Sequence, residues 1–359
     1  MLEFWRAGGS TTTLEQVRAA EAEGWDGQMF MDSQCLATDP YVLMGACALA
    51  TERIRLSPGV TNPLTRHVAV TAAAAASVQA LSGGRAVLGI GRGDSALAYL
   101  GRAPARVAAF ERALVQLQTL LGGGAIAFGG EITGEEAPSL ESLSLGDRPA
   151  ASSLQWLPPG LPKVPLDVAA TGPKVIELAA PLAERVTFSV GAAPDRIRWA
   201  VDLARAARAR RGLPEDGVSF GAQVMVVCHP DHGVALQRAT SAVAPLARFQ
   251  VIQGEVAGPV SDADRANFAA IQQGYDMTRH AKDPETSRII GGSLSGDFVE
   301  RFAIVGPPER CAERLLELVG CGLERFVVVG PGFFPEPEGV SGSLFASEVA
   351  PAVRTAAGA

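Results

Sequence analysis

The chain has 359 residues, 47% hydrophobic and 19% charged, with a formal net charge of −7. The apolar content is ample for a large buried core. An acidic balance with scattered arginines argues against a nucleic-acid partner, because binding a phosphate backbone needs clustered Lys and Arg. Length alone admits two domains or one large barrel.

Taken in chain order, period-2 and period-3.6 patterns alternate. The first residues, Met1 to Arg6, lack a basic segment followed by an apolar core, so no export signal is expected and the protein is expected to be cytoplasmic. Strand-like runs fall at Leu2–Arg6, Gly27–Met31, Ile54–Ser57, Ala86–Ile90, Pro165–Ala169, Val186–Val190, Ser219–Val227 and Arg325–Val329. Helical patterns fall at Leu14–Glu23, Tyr41–Ala50, His67–Leu81, Ala105–Leu121, Pro173–Ala183, Pro194–Arg211 and Pro308–Val319. Such alternation without a break predicts one (β/α)₈ TIM barrel spanning 1–359, with a doubly wound sheet as the competitor. The longest apolar stretch, Val68 to Ala80, is mostly alanine and too short to span a bilayer. Residues 122–163 and 254–297 break the alternation and are expected to be lids after the fourth and seventh strands, on the face where barrel active sites form. Five cysteines with no Cys-x-x-Cys pair fit a reducing compartment and no structural zinc.

The turn Gly89-Ile-Gly-Arg-Gly-Asp94 follows a strand but fails the dinucleotide fingerprint, since Asp94 stands at the third glycine position. Glu111 has roughly the spacing of a ribose acid, yet it belongs to a helical stripe with Phe110, Leu114, Leu117 and Leu121. Asp94 is thus either a turn former or a carboxylate in a site mouth. After the third strand, Ser57-Pro-Gly-Val-Thr-Asn-Pro63 forces a non-helical path, or makes an ordinary turn with Thr65 capping the next helix. After the fifth strand, Thr171-Gly-Pro-Lys174 suits either an anion at a helix start or a plain helix capped by Thr171. Asp32 stands at the end of the second strand, where acids are often functional, although Asp32-Ser33 is also a common turn pair. His229 and His232 suggest a metal pair, but no third ligand accompanies them, so no metal is expected.

Together these segments resemble the luciferase-like, F420-dependent oxidoreductases, and are most similar to methylenetetrahydromethanopterin reductases. The resemblance rests on Ile54-Arg-Leu-Ser-Pro-Gly-Val-Thr-Asn-Pro63, Leu81-Ser-Gly-Gly-Arg-Ala-Val-Leu-Gly-Ile-Gly-Arg-Gly-Asp94 and Thr171-Gly-Pro-Lys174. It continues in Phe302-Ala-Ile-Val-Gly-Pro-Pro-Glu309 and Gly322-Leu-Glu-Arg-Phe-Val-Val-Val-Gly330. It implies hydride transfer between coenzyme F420 and an organic substrate. FMN with monooxygenase chemistry is the alternative, and a non-catalytic cofactor-binding protein a further one. It also implies a homodimer formed through the early helices, which the alanine run Ala72–Ala76 would let pack closely. A cis peptide at Gly59–Val60 would support the deazaflavin ring, and Asp32 would stand near its polar edge. Thr61, Asn62, Gly91, Arg92 and Gly93 would line the channel, and Thr171, Gly172 and Pro173 would hold the phosphate. Many relatives carry Asp-His after the second strand where this chain has Asp32-Ser33. Asp94 thereby becomes the candidate catalytic acid, with Ser33 a hydrogen-bonding contact.

Overall fold

The structure, a computed structural model, describes residues 2–127, 142, 144, 146–147, 149–280, 290–330 and 340–358. Eight strands form the barrel: β1 (Glu3–Ala7), β2 (Gly27–Phe30), β3 (Arg55–Pro58), β4 (Leu88–Ile90), β5 (Leu166–Ala170), β6 (Arg185–Phe188), β7 (Ser219–Cys228) and β8 (Arg325–Val329). They pair in parallel in the order β3-β2-β1-β8-β7-β6-β5-β4. Parallel strands buried on both faces read as continuous apolar runs, and β8, Arg-Phe-Val-Val-Val, is buried throughout. Two isolated parallel bridges, Leu56 with Ala86 and Thr61 with Ile90, close the ring between β3 and β4. The fold is the expected TIM barrel.

The helices cover the outside. Val107–Leu121 buries Phe110, Leu114, Leu117 and Leu121 as one stripe, the spacing that a 3.6-residue period requires. Glu111 points away from that stripe to Arg211, 3.8 Å distant. In Val68–Leu81, Ala72, Ala75 and Ala76 are buried against neighbouring helices, where the absence of bulk permits close approach. Its N-cap is His67, which accepts from the Ala69 amide, rather than the expected Thr65. Asn62 takes the amides of Leu64 and Thr65 in a turn of its own, so the helix starts later.

The strands begin on a buried ionic layer. Arg185 donates to Glu3 at 2.5 Å, Arg325 lies 3.3 Å from Asp167, and Thr187 donates to Asp167 at 2.8 Å. The helical run from Val340 to Ala356, which strand and helix periodicity did not disclose, covers the outside of the barrel beside the helix Pro308–Val319 and seats Phe345 between Phe4 and Trp25.

The two segments that broke the alternation differ in position. The first follows the helix after β4, so it enters where strands begin. There a small hairpin, Ile126–Ala127 with Ala151–Ser152, forms, and Lys163 pairs with Glu184 just before β6. Its described residues are therefore on the opposite face from the one expected, because the chain has already run back along a helix. Residues 128–141, 143, 145 and 148 of it lie outside the described residues. The second begins earlier than expected, with helices His232–Ala242 and Ala244–Ala247, and continues through Asp262–Gly274 to Gly296–Phe302. It lies over the C-terminal ends of the strands; its residues 281–289 lie outside the described residues. Before the next barrel helix, Ile304–Gly306 pairs with the end of β7 as an extra short strand.

Candidate active site

The site starts from the interruption between β3 and β4. The peptide Gly59–Val60 is cis, as the resemblance implied. Here the chain bulges away from β4, and the Ser57 hydroxyl, not a main-chain carbonyl, accepts the Gly89 amide at 3.1 Å. Pairing resumes one step on, where Thr61 and Gly91 exchange bonds of 3.0 and 2.9 Å with β4 and the bulge. The bulge presses on its neighbours. A Cβ on Gly89 would lie 2.3 Å from the Pro58 carbonyl oxygen, one on Gly91 would lie 3.2 Å from Val60, and one on Gly59 would lie 2.7 Å from Met29. Gly89 and Gly91 are thus a steric consequence of the bulge, whereas Gly93 takes a left-handed φ of +89° against Leu97.

A cavity of about 510 Å³ opens over this wall at the strand ends. It gathers the residues singled out from the sequence: Asp32, Ser33, Gly59, Val60, Asn62, Gly91 to Asp94, and Thr171 to Pro173 all line it. Thr61 does not; it is fully buried, and its main chain closes the barrel. Thr171 does not cap the helix Pro173–Ala179, whose N-cap is Gly172 without a side-chain bond. A Cβ on Gly172 would meet nothing within 4 Å.

At one side Asp32 is buried and paired with Arg66 at 2.5 Å, and Gln34 donates to its other oxygen at 2.5 Å. Arg66 also holds Asp39 at 2.6 Å and lies 5.1 Å over the Tyr41 ring. Burial pushes the Asp39 carboxyl up, but Arg66 and two helix amides outweigh it and hold the group below its ordinary range. Burial, with Asp32 nearby, drives the Tyr41 phenol upward. The Ser33 hydroxyl lies 3.3 Å from that of Ser95.

At the other side, the stretch 248–253 was not marked by any sequence motif, yet it forms a wall of the cavity. Phe249, Gln250, Ile252 and Gln253 face inward. Two contacts fasten it to the β4 turn: an ion pair between Arg248 and Asp94, and a 2.7 Å bond from Arg92 to Gln253. Buried Arg196 fixes it from behind, donating to Gln250 at 2.8 Å and to the carbonyls of Ala257 and Pro259. Burial pulls the Arg196 guanidinium down to about 10. Only the arginines themselves could have hinted at these contacts, since long-range pairing leaves no local pattern. His229 and His232 do not come together on a ligand set: His229 bonds locally with Asp231, and His232 pairs with Glu300 at 2.8 Å.

Several buried polar atoms in this region have no hydrogen-bond partner among the described residues, Asn62 Nδ2 among them. Asn62 lines the cavity, its oxygen already committed to two amides, so its unmatched N–H₂ is available to an acceptor there.

A parallel barrel with a bulged β3 and a strand-end cavity is the architecture of an enzyme that binds an organic cofactor or substrate at the C-terminal face. The family model of the luciferase-like monooxygenases matches residues 6–325, and the chain belongs to that family. It is 26% identical over 326 residues to the 5,10-methylenetetrahydromethanopterin reductase of Methanolobus tindarius, covering 88% of each chain. With the F420-dependent glucose-6-phosphate dehydrogenase of Microbacterium testaceum it shares 27% identity over 301 residues, 80% of this chain and 76% of the other. The structure of the coenzyme F420-dependent tetrahydromethanopterin reductase from Methanopyrus kandleri superposes with a TM-score of 0.73 at 21% identity, covering 98% and 99% of the two chains.

Proposed function

We propose that this protein is an oxidoreductase that binds coenzyme F420 in the 510 Å³ cavity and moves a hydride between it and a small organic substrate. The observation that carries the reading is the bulged wall: bare backbone at Gly59 and Gly91 beside the unmatched amide of Asn62, a surface fit for a flat ring with carbonyl edges. The F420-dependent glucose-6-phosphate dehydrogenase that aligns over most of the chain, and the F420-dependent reductase that shares its fold, favour this coenzyme over FMN. When bound, the deazaflavin would carry the hydride; the protein supplies position and electrostatics.

In this reading Val60 and Gly59 support one face of the ring, and Asn62 donates to its edge. Asp32, held by Arg66 and Gln34, fixes the end of β2 beside that edge. Gly91, Arg92 and Gly93 line the channel, and Thr171, Gly172 and Pro173 seat the phosphate. Asp94 and Ser33 face the reacting side. Arg248 holds one oxygen of Asp94, so any proton it delivers leaves from the other. The whole chain is one barrel domain, with 122–163 and 254–297 as inserted segments. Among the described residues no helix is long and apolar enough to cross a membrane, and a cytoplasmic location fits the cysteine usage. Neighbouring helices expose Val42, Leu49 and Val70, an apolar surface suited to a second copy.

Titration of the purified protein with F420 and with FMN tests the assignment. F420 is expected to bind more tightly. Tighter FMN binding with oxygen-dependent turnover would replace this reading with a flavin monooxygenase, and tight F420 binding without hydride exchange across donors would leave a binding protein.

A further inference from the structure

Beside the cofactor cavity lies a second chamber of about 370 Å³, and the two share Asp94, Pro104 and Ile252 as walls. The stretch 248–253 divides them, with Phe249 and Gln253 on the cavity side and Arg248 and Val251 on the chamber side. The chamber is mainly apolar, with Val251, Ile252, Ile271 and Met277 among its walls, and its volume falls in the range of small-molecule sites.

Its inner polar groups are held in place, Gln272 by a 3.1 Å bond to the Val251 carbonyl. Arg248 is 3% exposed, its charge met by Asp94, and its guanidinium lies 4.8 Å over Phe249 and 5.2 Å over Tyr275. Its Nε has no partner among the described residues. The Tyr275 hydroxyl lies 2.6 Å from His280 Nδ1. Tyr99, on the segment after the β4 turn, donates to the carbonyls of Met277 and His280 at 3.1 and 3.2 Å. The wall that carries Tyr275 is therefore stitched to the wall that carries Asp94. Arg102 stands at the exposed rim.

We infer that this chamber binds the body of the substrate: a small apolar molecule carrying a neutral hydrogen-bond acceptor, such as a carbonyl oxygen, with Tyr275 as the donor. In the His280 tautomer that carries its proton on Nδ1, the ring donates to the phenol oxygen and the phenol proton is left for the chamber. An anion is disfavoured because Asp94 already compensates Arg248, the cation buried in the wall. A molecule seated here meets the cofactor cavity at Asp94. That the ligand is a substrate rests on the oxidoreductase reading; that the chamber binds it does not.

The test uses acetophenone, ethylbenzene and benzoate as probes, with the full chain free of cofactor, and saturation-transfer NMR or calorimetry as readout. Acetophenone is expected to bind about 2- to 10-fold tighter than ethylbenzene, the net effect of one hydrogen bond, and tighter than benzoate. Tyr275→Phe should erase that preference while both ligands still bind. His280→Asn, which retains an N–H donor, should keep the preference, and His280→Ala should lose it. Ala98→Trp, at the exposed rim, should block both ligands. F420 affinity should be unchanged in all these variants. Benzoate binding most tightly, a preference surviving Tyr275→Phe, or ligands indifferent to Ala98→Trp would each overturn the inference. F420 binding with no acetophenone binding refutes the chamber alone; the acetophenone pattern without F420 binding refutes the cofactor reading alone.

Discussion

The contrast between Gly89 and Gly172 offers the sharpest check on the site. At Gly89 an added methyl would sit 2.3 Å from the Pro58 carbonyl oxygen and 2.8 Å from Ser57 Oγ, where real contacts stay beyond 3.0 Å. Neither neighbour can yield cheaply. Ser57 Oγ already donates to that carbonyl at 3.0 Å, and the next amide, Gly59 N–H, is bound to Phe30 at 2.6 Å. Overpacking against fixed backbone costs about 3 kcal/mol, the upper end of the usual range. Reduced freedom of the unfolded chain offsets roughly 0.5–1 kcal/mol of that. Gly89→Ala should therefore lose about 2 kcal/mol. At Gly172, φ is −102° and a side-chain methyl would meet no atom within 4 Å, so Gly172→Ala should be neutral or gain about 0.5 kcal/mol. Urea denaturation measures both, with unchanged m-values confirming a pure stability effect. Gly172→Leu then projects into the cavity from a fold that tolerates it, and should weaken F420 binding. A Gly89→Ala protein as stable as wild type would show that the bulge does not dictate the β4 turn; unaltered F420 affinity in Gly172→Leu would remove the phosphate seat from this place.

Asp32→Asn leaves Arg66 facing a neutral amide at a fully buried position, and because Arg66 keeps 15% exposure the loss should be about 2–3 kcal/mol by denaturant titration; no loss would mean the pair contributes nothing. Asp94→Asn should slow turnover far more than it weakens F420 binding, and equal turnover would remove Asp94 from the mechanism. Burial and then Arg248 pull His280 down to about 4, against Asp94. The unfolded chain, with its histidine near 6.5, binds the extra proton first, so this group makes stability fall as pH drops from about 6.5 to about 4. His280→Gln should flatten the urea-midpoint profile over that window, and an NMR titration midpoint near 6.5 would contradict the burial. Val42→Glu with Leu49→Glu should convert a dimer to monomer in sedimentation equilibrium; a wild-type monomer would refute the surface assignment.

What could be read ahead of the structure follows the range of the interactions. Strand and helix patterns are local, so β1 to β8 and most covering helices were legible, and the glycine turn could be placed at a strand end. The reason for its glycines was not, because Pro58 and Gly89 meet only when the barrel closes. The caps went wrong at Thr65, where Asn62 builds a turn of its own, and at Thr171, where Gly172 takes the N-cap position. The segment 248–253 is the largest omission: it carries no periodicity, and its importance comes from Arg248 meeting Asp94, 154 residues away in sequence.

That last contact alters how Asp94 works. From the sequence it is a lone acid in a site mouth; in the fold it also joins the β4 turn to the dividing wall between two cavities. The two roles separate experimentally. Arg248→Met leaves the Asp94 carboxylate in place but removes the fastening, and Asp94→Asn keeps a hydrogen-bonding partner for Arg248 while removing the acid. If Asp94 acts chiefly in proton delivery, Asp94→Asn should lose more turnover than Arg248→Met, and its pH–rate profile should lose a limb. If it acts chiefly by holding the wall, Arg248→Met should be the more damaging change, with a raised KM and the pH profile unmoved.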